Sequence, residues 1–185
     1  MASPSKMRRR RPARPRVAIL TDSVAEAEFA AQNKTGAPGN VEAVTAALHE
    51  LGYEPAVVEF DGDPATWLED LIYGQFRLVF NLCEGLSGHA AHEHLAAAAV
   101  ELLGIPLTGA GSLALSLCLR KDKASAFLAR NGLPVPDGFV ARAGEPLERW
   151  PRFPVIVKPV AEDGSSGIFP DCVARSRAQL RAALE

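Results

Sequence analysis

The sequence predicts an α/β protein in which an open parallel sheet is followed by a smaller, partial α+β unit. Short apolar runs alternate with segments of helical periodicity in the first half of the chain. That alternation is typical of parallel strands joined by helical crossovers. From Gly109 onwards the pattern changes to short helices, a proline-rich linker and scattered strand-like segments, so we expect a second unit there.

The first unit is predicted to contain three strands, each a short apolar run of the kind found in buried parallel sheets. The strands are 17–20, 56–60 and 78–82, an extended piece covers 105–108, and the helices cover 41–51, 64–72 and 92–103. Asn40 is the predicted N-cap of the first helix, Gly52 ends it, and Asp63-Pro64 opens the second. Because open α/β sheets bind ligands beyond the carboxyl ends of their strands, we expect a site at that edge.

The second unit is predicted to begin with two short helices, one starting at Gly111-Ser112 and one ending near Asn131-Gly132. Residues 133–136 favour an extended linker, because a residue that precedes proline avoids the helical region. Strand-like segments follow at 138–142, 155–158 and 168–173. Ser176 is predicted to cap a last helix that reaches Glu185 without a stop signal, so we expect the protein to continue beyond it.

The formal net charge is −2, but the basic residues are concentrated at the start of the chain. Residues 1–16 contain seven of the 20 Lys and Arg residues and no acidic residue. We interpret this stretch as a basic disordered tail. A binder of nucleic acid or of an anionic surface is the alternative, and nucleic acid is not the partner we expect. Pro12 and Pro15 argue against an amphipathic targeting helix.

The cysteines and the hydropathy pattern indicate a cytoplasmic protein. Cys83, Cys118 and Cys172 follow no metal-binding or disulfide spacing, so we expect reduced and mostly buried thiols. No apolar run approaches the roughly 20 residues that a membrane helix needs, so no membrane is expected among the partners.

The segment around Lys158 carries the clearest chemical signal. An apolar run at 153–157 places Lys158 at a strand end, where a lysine is a positioned charge for a phosphate. Consecutive N–H groups and hydroxyls of a Gly/Ser loop bind anions, and the loop that follows contains Gly164, Ser165, Ser166 and Gly167. These residues predict a nucleotide-phosphate site, although not a P-loop, because the lysine precedes the loop. The alternative is an ordinary hairpin with Asp163-Gly164 as its turn.

Five motifs occur in the order seen in one enzyme family. They are VFNLCEG at 79–85, GIPLTG at 104–109, GLPVP at 132–136, VKP at 157–159 and GSSG at 164–167. Over about residues 17–185 the chain resembles D-alanine–D-alanine ligases, and most closely the ligase-like branch of these ATP-grasp enzymes. The resemblance implies a pre-ATP-grasp α/β domain at 17–109 and the first part of an ATP-grasp central domain at 110–185, after the tail at 1–16.

The resemblance also implies an activity, cofactors and partners. The family joins a carboxylate to an amine through an acyl phosphate that is formed with ATP, so ATP and a small amino-acid or carboxylate substrate are the expected partners. If the substrate is D-alanine, the protein would act in cell-wall precursor synthesis. Whether it forms a homodimer is left open. Lys158 would contact the ATP phosphates, and Gly164, Ser165, Ser166 and Gly167 would form the mobile loop that closes over them.

A second phosphate-binding lysine of the family falls in Arg120-Lys121-Asp122-Lys123. Lys123 keeps the family's Asp-Lys order, whereas Lys121 better keeps the distance to Gly132. Both stay candidates, with a slight preference for Lys121. The family's magnesium ligands are expected downstream of Glu185, so no metal ligand is assigned here and the 185-residue chain alone is expected to be inactive.

The sequence departs from the family where D-alanine would bind. Glu84-Gly85 replaces a His-Gly pair, and His89 and Ala90 replace an acidic pair. Glu84 and Glu42 are therefore weak candidates for substrate contacts, and D-alanine specificity stays open. His89 and Glu93 are spaced to share a helix face, but a polar helix start explains them better than a metal site. A non-catalytic nucleotide- or partner-binding module derived from such a ligase is the alternative function.

Overall fold

The computed structural model describes residues 14–22, 39–60, 62–87, 89–142, 152–162 and 167–184. The first unit contains strands and helices in alternation, and the second contains helices and a two-stranded ribbon. The first-unit elements are β1 (Arg16–Thr21), α1 (Asn40–Glu50), β2 (Glu54–Glu59), α2 (Pro64–Tyr73), β3 (Leu78–Asn81) and α3 (Glu93–Leu102). The second-unit elements are α4 (Ser112–Leu119), α5 (Lys121–Arg130), β4 (Val155–Ile156), β5 (Val173–Ala174) and α6 (Arg177–Ala182).

The three strands of the first unit form a parallel sheet in the order β2-β1-β3, which confirms the predicted fold class. β1 lies in the middle and is buried on both faces, as its continuous apolar sequence requires. Val17 and Ile19 pack with Leu48 of α1, whereas Ala18 and Leu20 pack in the opposite core with residues of α2 and α3. The sheet is therefore covered by α1 on one face and by α2 and α3 on the other.

The extended piece predicted at 105–108 lies beside β3. Leu107 forms a parallel bridge with Val79, and the Thr108 N–H donates to the Val79 carbonyl at 3.0 Å. This piece extends the sheet beyond β3 and brings Thr108 to the carboxyl edge. The carboxyl ends of three neighbouring segments therefore meet there.

The capping predictions are confirmed for two helices and wrong for one. Asp63 accepts a hydrogen bond from the Ala65 N–H at 3.0 Å at the start of α2, and Ser176 accepts one from the Gln179 N–H at 3.3 Å at the start of α6. Asn40 is not the cap of α1. Gly39 has the extended N-cap conformation, and Asn40 is already the first helical residue.

Of the three strands predicted in the second unit, 155–158 was too long and 138–142 was wrong. The strand predicted at 168–173 overlaps the observed one only at Val173, because Pro170–Cys172 forms a 3₁₀ turn. Only Val155–Ile156 and Val173–Ala174 pair, as an antiparallel ribbon. Residues 138–142 form no strand, and their apolar residues Phe139 and Val140 are exposed. Their residue types favour the extended conformation, but residue type alone does not determine whether a segment joins a sheet.

The prediction that the cysteines are mostly buried was only partly right. All three cysteines are free, but Cys83 alone is buried, while Cys118 is exposed and Cys172 is half-buried. None of the helices in the described part of the chain has the length and apolar character of a transmembrane segment.

The two units are joined through the start of α4. The Ser112 N–H and hydroxyl donate to the Glu101 carboxylate on α3 at 2.9 and 2.6 Å. The Ser112 hydroxyl and, less strongly, its backbone N–H lower the pKa of Glu101 below its usual 4.5, because they stabilise the carboxylate. Glu101 thereby binds the N-terminal end of α4, where the first N–H groups lack helical partners.

We expect Ser112→Ala to lower the melting temperature at pH 7 and to lose that effect in acid. The folded-state pKa of Glu101 lies below its unfolded value, so its contribution is present above about pH 4.5 and lost as pH falls through the folded pKa. Melting curves of the wild type and the variant between pH 7 and 3 test this. Ser125→Ala, at an exposed serine of α5, is the matched control, and a difference between wild type and S112A that does not change with pH would contradict the prediction.

Candidate functional site

Asp22 and Glu84 meet at the carboxyl edge of the sheet. Asp22 directly follows β1 and is buried, and its Oδ2 accepts a hydrogen bond from the Glu84 N–H at 2.9 Å. Glu84 follows β3, and its side chain is exposed. Adjacent parallel strands end side by side, so residues far apart in sequence are brought together there.

A series of side-chain to backbone hydrogen bonds holds the residues that follow β3. Thr108 Oγ1 accepts from the Asn81 N–H at 3.0 Å, and Asn81 Oδ1 accepts from the Cys83 N–H at 3.2 Å. The buried thiol of Cys83 then donates to the Gly85 carbonyl at 3.1 Å. The path of the chain from β3 into the next loop is therefore fixed by polar contacts rather than by sheet pairing.

The described residues of the loop after β3, 84–87 and 89, are closely packed, so a side chain at Gly85 would require the neighbouring main chain to move. A Cβ atom on Gly85 would lie 3.0 Å from the His89 carbonyl oxygen. Leu86 and His89 form an antiparallel bridge, and Ser87 between them has a φ of 52°. Positive φ is uncommon outside glycine and marks a sharply turned backbone. Glu84 and His89 are both exposed at the carboxyl edge of the sheet.

Two of the histidines after this loop pack against each other. The His89 and His92 rings are 5.5 Å apart between centroids in an edge-to-face arrangement. Among the described residues there is no group of three or more His, Cys, Asp or Glu side chains that could hold a metal ion.

Lys158 lies just past β4, two residues after Ile156, and is exposed. The preceding Val157 N–H donates to the Cys172 carbonyl at 2.9 Å and extends the pairing with the β5 side of the ribbon. The ribbon thus fixes the backbone up to the residue before Lys158. Because the lysine is at the end of a paired segment, its position is set by the strand and its ammonium group stays accessible.

Lys121 contacts the segment that follows Lys158. Its backbone N–H donates to the Val160 carbonyl at 3.0 Å, and its Nζ donates to the Glu162 carbonyl. These contacts attach the first turn of α5 to the start of the predicted phosphate loop. Lys121 therefore contacts two of the residues that closely follow Lys158 in the chain.

Lys123 has a different environment. Its Nζ lies 3.5 Å from Asp122 Oδ2, and Arg120 Nε lies 3.6 Å from the other oxygen of that carboxylate. Burial would raise the pKa of Asp122, but the Lys123 backbone N–H and the charges of Lys123 and Arg120 outweigh it, so the pKa is lowered. The Lys123 ammonium is thus shared with a local acid.

The end of the predicted phosphate loop lies against Pro159. Gly167 has a φ of +69°, and a Cβ atom there would lie 2.9 Å from Pro159 Cγ. A glycine is required at this position because both the backbone conformation and the space exclude a side chain. Gly164, Ser165 and Ser166 lie outside the described residues.

Glu42 lies in the first turn of α1 and is exposed. The start of α1 is at the carboxyl end of the sheet because α1 connects two parallel strands, so Glu42 and Glu84 share that end of the unit. An acidic residue in a first turn also interacts favourably with the helix dipole.

Asp22 is a site residue that the sequence reasoning missed. Its burial beside Glu84 depends on a contact between residues 62 positions apart, which no local pattern encodes. The available signal was its place directly after a buried strand, where polar residues gather in open α/β sheets.

The fold resembles two solved ligase structures. D-alanine–D-alanine ligase from Bacillus anthracis, solved in complex with ATP, matches 92% of this chain with a TM-score of 0.63 and 19% identity. VanG D-Ala:D-Ser ligase from Enterococcus faecalis matches 93% of the chain with a TM-score of 0.56 and 18% identity. At such low identities these matches establish the fold alone.

Sequence relatives decide the family. D-alanine–D-alanine ligase of Paramagnetospirillum magneticum is 34% identical over 132 residues, or 69% of this chain, and that of Geobacter sulfurreducens is 32% identical over 146 residues, or 77%. The chain belongs to the D-alanine–D-alanine ligase-like ATP-grasp family. An uncharacterised protein of Sinorhizobium fredii, y4sG, is 34% identical over 149 residues, or 78% of the chain. No protein-family model matches the sequence.

The chain spans less than half the length of these ATP-grasp relatives. The matched region covers 41% of the Paramagnetospirillum ligase and 43% of the Geobacter ligase and of the Sinorhizobium protein. The predicted fold class, an α/β unit followed by a partial ATP-grasp α+β unit, agrees with this membership. The division into domains at 17–109 and 110–185 stays a prediction.

Proposed function

We propose that the chain is the N-terminal portion of an ATP-dependent carboxylate–amine ligase that works through an acyl phosphate. Family membership supports this reaction type, since relatives over most of the chain are named D-alanine–D-alanine ligases. The reaction would transfer the γ-phosphate of ATP to a carboxylate, after which an amine displaces phosphate and forms an amide. Because ATP is the proposed co-substrate, we place the reaction in the cytoplasm.

The observation that carries the proposal is that Lys121 contacts the segment directly after Lys158, at the start of the predicted phosphate loop. Lys121 bonds to Val160 and Glu162 at the start of the loop, and Gly167 at its end packs on Pro159, next to Lys158. A loop anchored at both ends beside two ammonium groups suits a triphosphate, whose charge must be neutralised before phosphoryl transfer. In this proposal Ser165 and Ser166 add donors from the part of the loop between the anchors.

These residues fit ATP better than they fit a metal. The ammonium groups of Lys121 and Lys158 are donors to anionic oxygens, and a phosphate accepts such donors readily. The described residues contain no cluster of metal-ligating side chains, so no step is assigned to magnesium on this part of the protein.

The carboxyl edge of the first unit suits the amino-acid substrate rather than the phosphates. Its described residues 20–22, 82–87, 89–94 and 107–111 include Asp22, Glu84 and Glu93 but no Lys or Arg. An acidic edge repels phosphate and attracts an ammonium group. We assign Glu84, at the rim of this edge, to the substrate side of the reaction, with Glu42 as the second candidate at the same end of the sheet.

Phosphate release by the full-length protein tests the function. Purified protein would be incubated with ATP, magnesium and single D-amino acids, D-alanine included, and phosphate would be measured over time. Turnover that requires both ATP and an amino acid, with a dipeptide as product, is the expected result. ATP binding without turnover would contradict the ligase proposal and favour the non-catalytic nucleotide-binding module. Absence of ATP binding would contradict both proposals.

Comparison of Lys121→Gln with Lys123→Gln identifies the second phosphate-binding lysine. We expect K121Q to raise the KM for ATP about tenfold or more, because hydrogen bonds to charged groups contribute about 1.5–3 kcal/mol. K123Q should change it less than threefold, because its ammonium is shared with Asp122. A larger effect of K123Q than of K121Q would reverse the assignment, and Arg181→Gln on α6 controls for loss of one exposed positive charge.

A further inference from the structure

We propose that Asp22 is a positioning residue for substrate binding, because its buried carboxylate fixes the backbone from which Glu84 projects. The inference rests on the proposed function, since it concerns the substrate end of the same site. Asp22 is only 3% exposed, and its Oδ2 lies 2.9 Å from the Glu84 nitrogen. The contact joins the ends of two paired parallel strands, β1 and β3.

The Asp22 side chain takes the place of a main-chain group in the strand ladder. The last regular bond is donated by the Leu82 N–H to the Leu20 carbonyl at 2.8 Å. Two residues further on, the parallel pattern would join the Glu84 N–H to the Asp22 carbonyl. The side-chain carboxylate accepts that bond instead, and the Asp22 carbonyl receives the Thr21 hydroxyl at 3.3 Å.

Because the Asp22 side chain accepts this hydrogen bond, the chain can turn away from the sheet while the Glu84 N–H stays bonded. Glu84 is exposed between Cys83 and Gly85, which are both buried, so the orientation of its peptide decides where its carboxylate points. Gly85 is in turn packed against His89, so a shift of the Glu84 peptide would be passed along the loop. Asp22 acts on the substrate through Glu84 and does not touch it.

Steady-state kinetics of the full-length protein test the role, using the D-amino acid that the wild type turns over fastest. We expect Asp22→Ala to raise the KM for the amino acid tenfold or more and to leave the KM for ATP within twofold. Asp22→Asn should stay within threefold of the wild type, because its amide oxygen can accept the same hydrogen bond. Asp70→Ala, at an exposed aspartate of α2, is the control.

A second variant and a second readout keep the inference testable if D22A does not fold. Asp22→Glu keeps the charge but moves the acceptor by one methylene, so it should also raise the amino-acid KM selectively. Hydrogen exchange of the Glu84 amide, which donates to Asp22, should be about tenfold faster in D22E than in the wild type. In the D22E/E84Q double variant the amino-acid KM should be no higher than in E84Q alone.

The outcomes separate the two proposals. The role of Asp22 is overturned if the wild type is active and D22A and D22E either keep the amino-acid KM or change both KM values equally. Either result leaves the ligase proposal intact. A wild type without ATP-dependent turnover overturns the ligase proposal and this inference together.

Discussion

Replacing Lys158 with methionine is expected to lower kcat/KM for ATP about 100-fold in the full-length protein. The lysine is exposed at the end of a paired strand segment, so methionine should fit without disturbing the ribbon. In the proposed function the variant loses a positive charge beside the triphosphate, and such charges act mainly on the transition state of phosphoryl transfer. The measurement is initial-rate kinetics with ATP varied at saturating amino acid.

Two comparisons make this prediction specific. Arg181→Gln removes an exposed charge from α6 in the same unit and should leave kcat/KM within twofold. Lys158→Arg keeps the charge but changes the donor geometry, so it should recover only part of the activity. If K158M keeps kcat/KM within twofold of the wild type, Lys158 does not contact the phosphates and the phosphate site must be sought elsewhere.

Replacing Phe60 with alanine is expected to lower the free energy of unfolding by about 3–5 kcal/mol. Phe60 is 1% exposed and directly follows β2, and its ring centroid lies 4.4 Å from that of Trp67 on α2. The substitution would remove a large side chain from the core between the sheet and α2 and α3, leaving a cavity that neighbouring side chains fill only partly. Urea unfolding of the chain, followed by circular dichroism at 222 nm, gives the value.

An exposed aromatic residue of the same unit provides the control. Tyr73 at the end of α2 is 76% exposed, so Tyr73→Ala should change the free energy of unfolding by less than about 0.5 kcal/mol. Phe60→Leu keeps most of the volume and should cost less than Phe60→Ala. A loss below 1 kcal/mol for F60A would mean that the core between β2 and α2 is not formed as described.

The parallel sheet could be predicted because its strands are unambiguous in sequence. The run at 17–20 is apolar at every position, and burial on both faces of a central strand requires such a run. The strand predicted at 138–142 was wrong for the opposite reason. Phe139 and Val140 have the residue types of a strand, but strand formation depends on a neighbour that the local sequence does not specify.

The candidate site could be predicted only where the residues involved lie in one short segment. Lys158 and the glycine at 167 stand in one short motif, and the position of Lys158 after a paired strand agrees with what that motif indicates. Spacing left Lys121 and Lys123 both open, and the contact between Lys121 and Glu162 that distinguishes their environments joins residues 41 positions apart. Asp22 was missed because its partner lies 62 residues away.

The close packing at Gly85 has a practical consequence for protein engineering. A Cβ atom at that position would lie 3.0 Å from the His89 carbonyl oxygen, so a larger residue would require the main chain at His89 to move. A mutant library intended to alter which amino acid the proposed ligase accepts should therefore randomise Glu84, Ser87 and His89, whose side chains are exposed, and keep Gly85 constant. Substitutions would then be confined to positions at which a new side chain leaves the backbone of the loop unchanged.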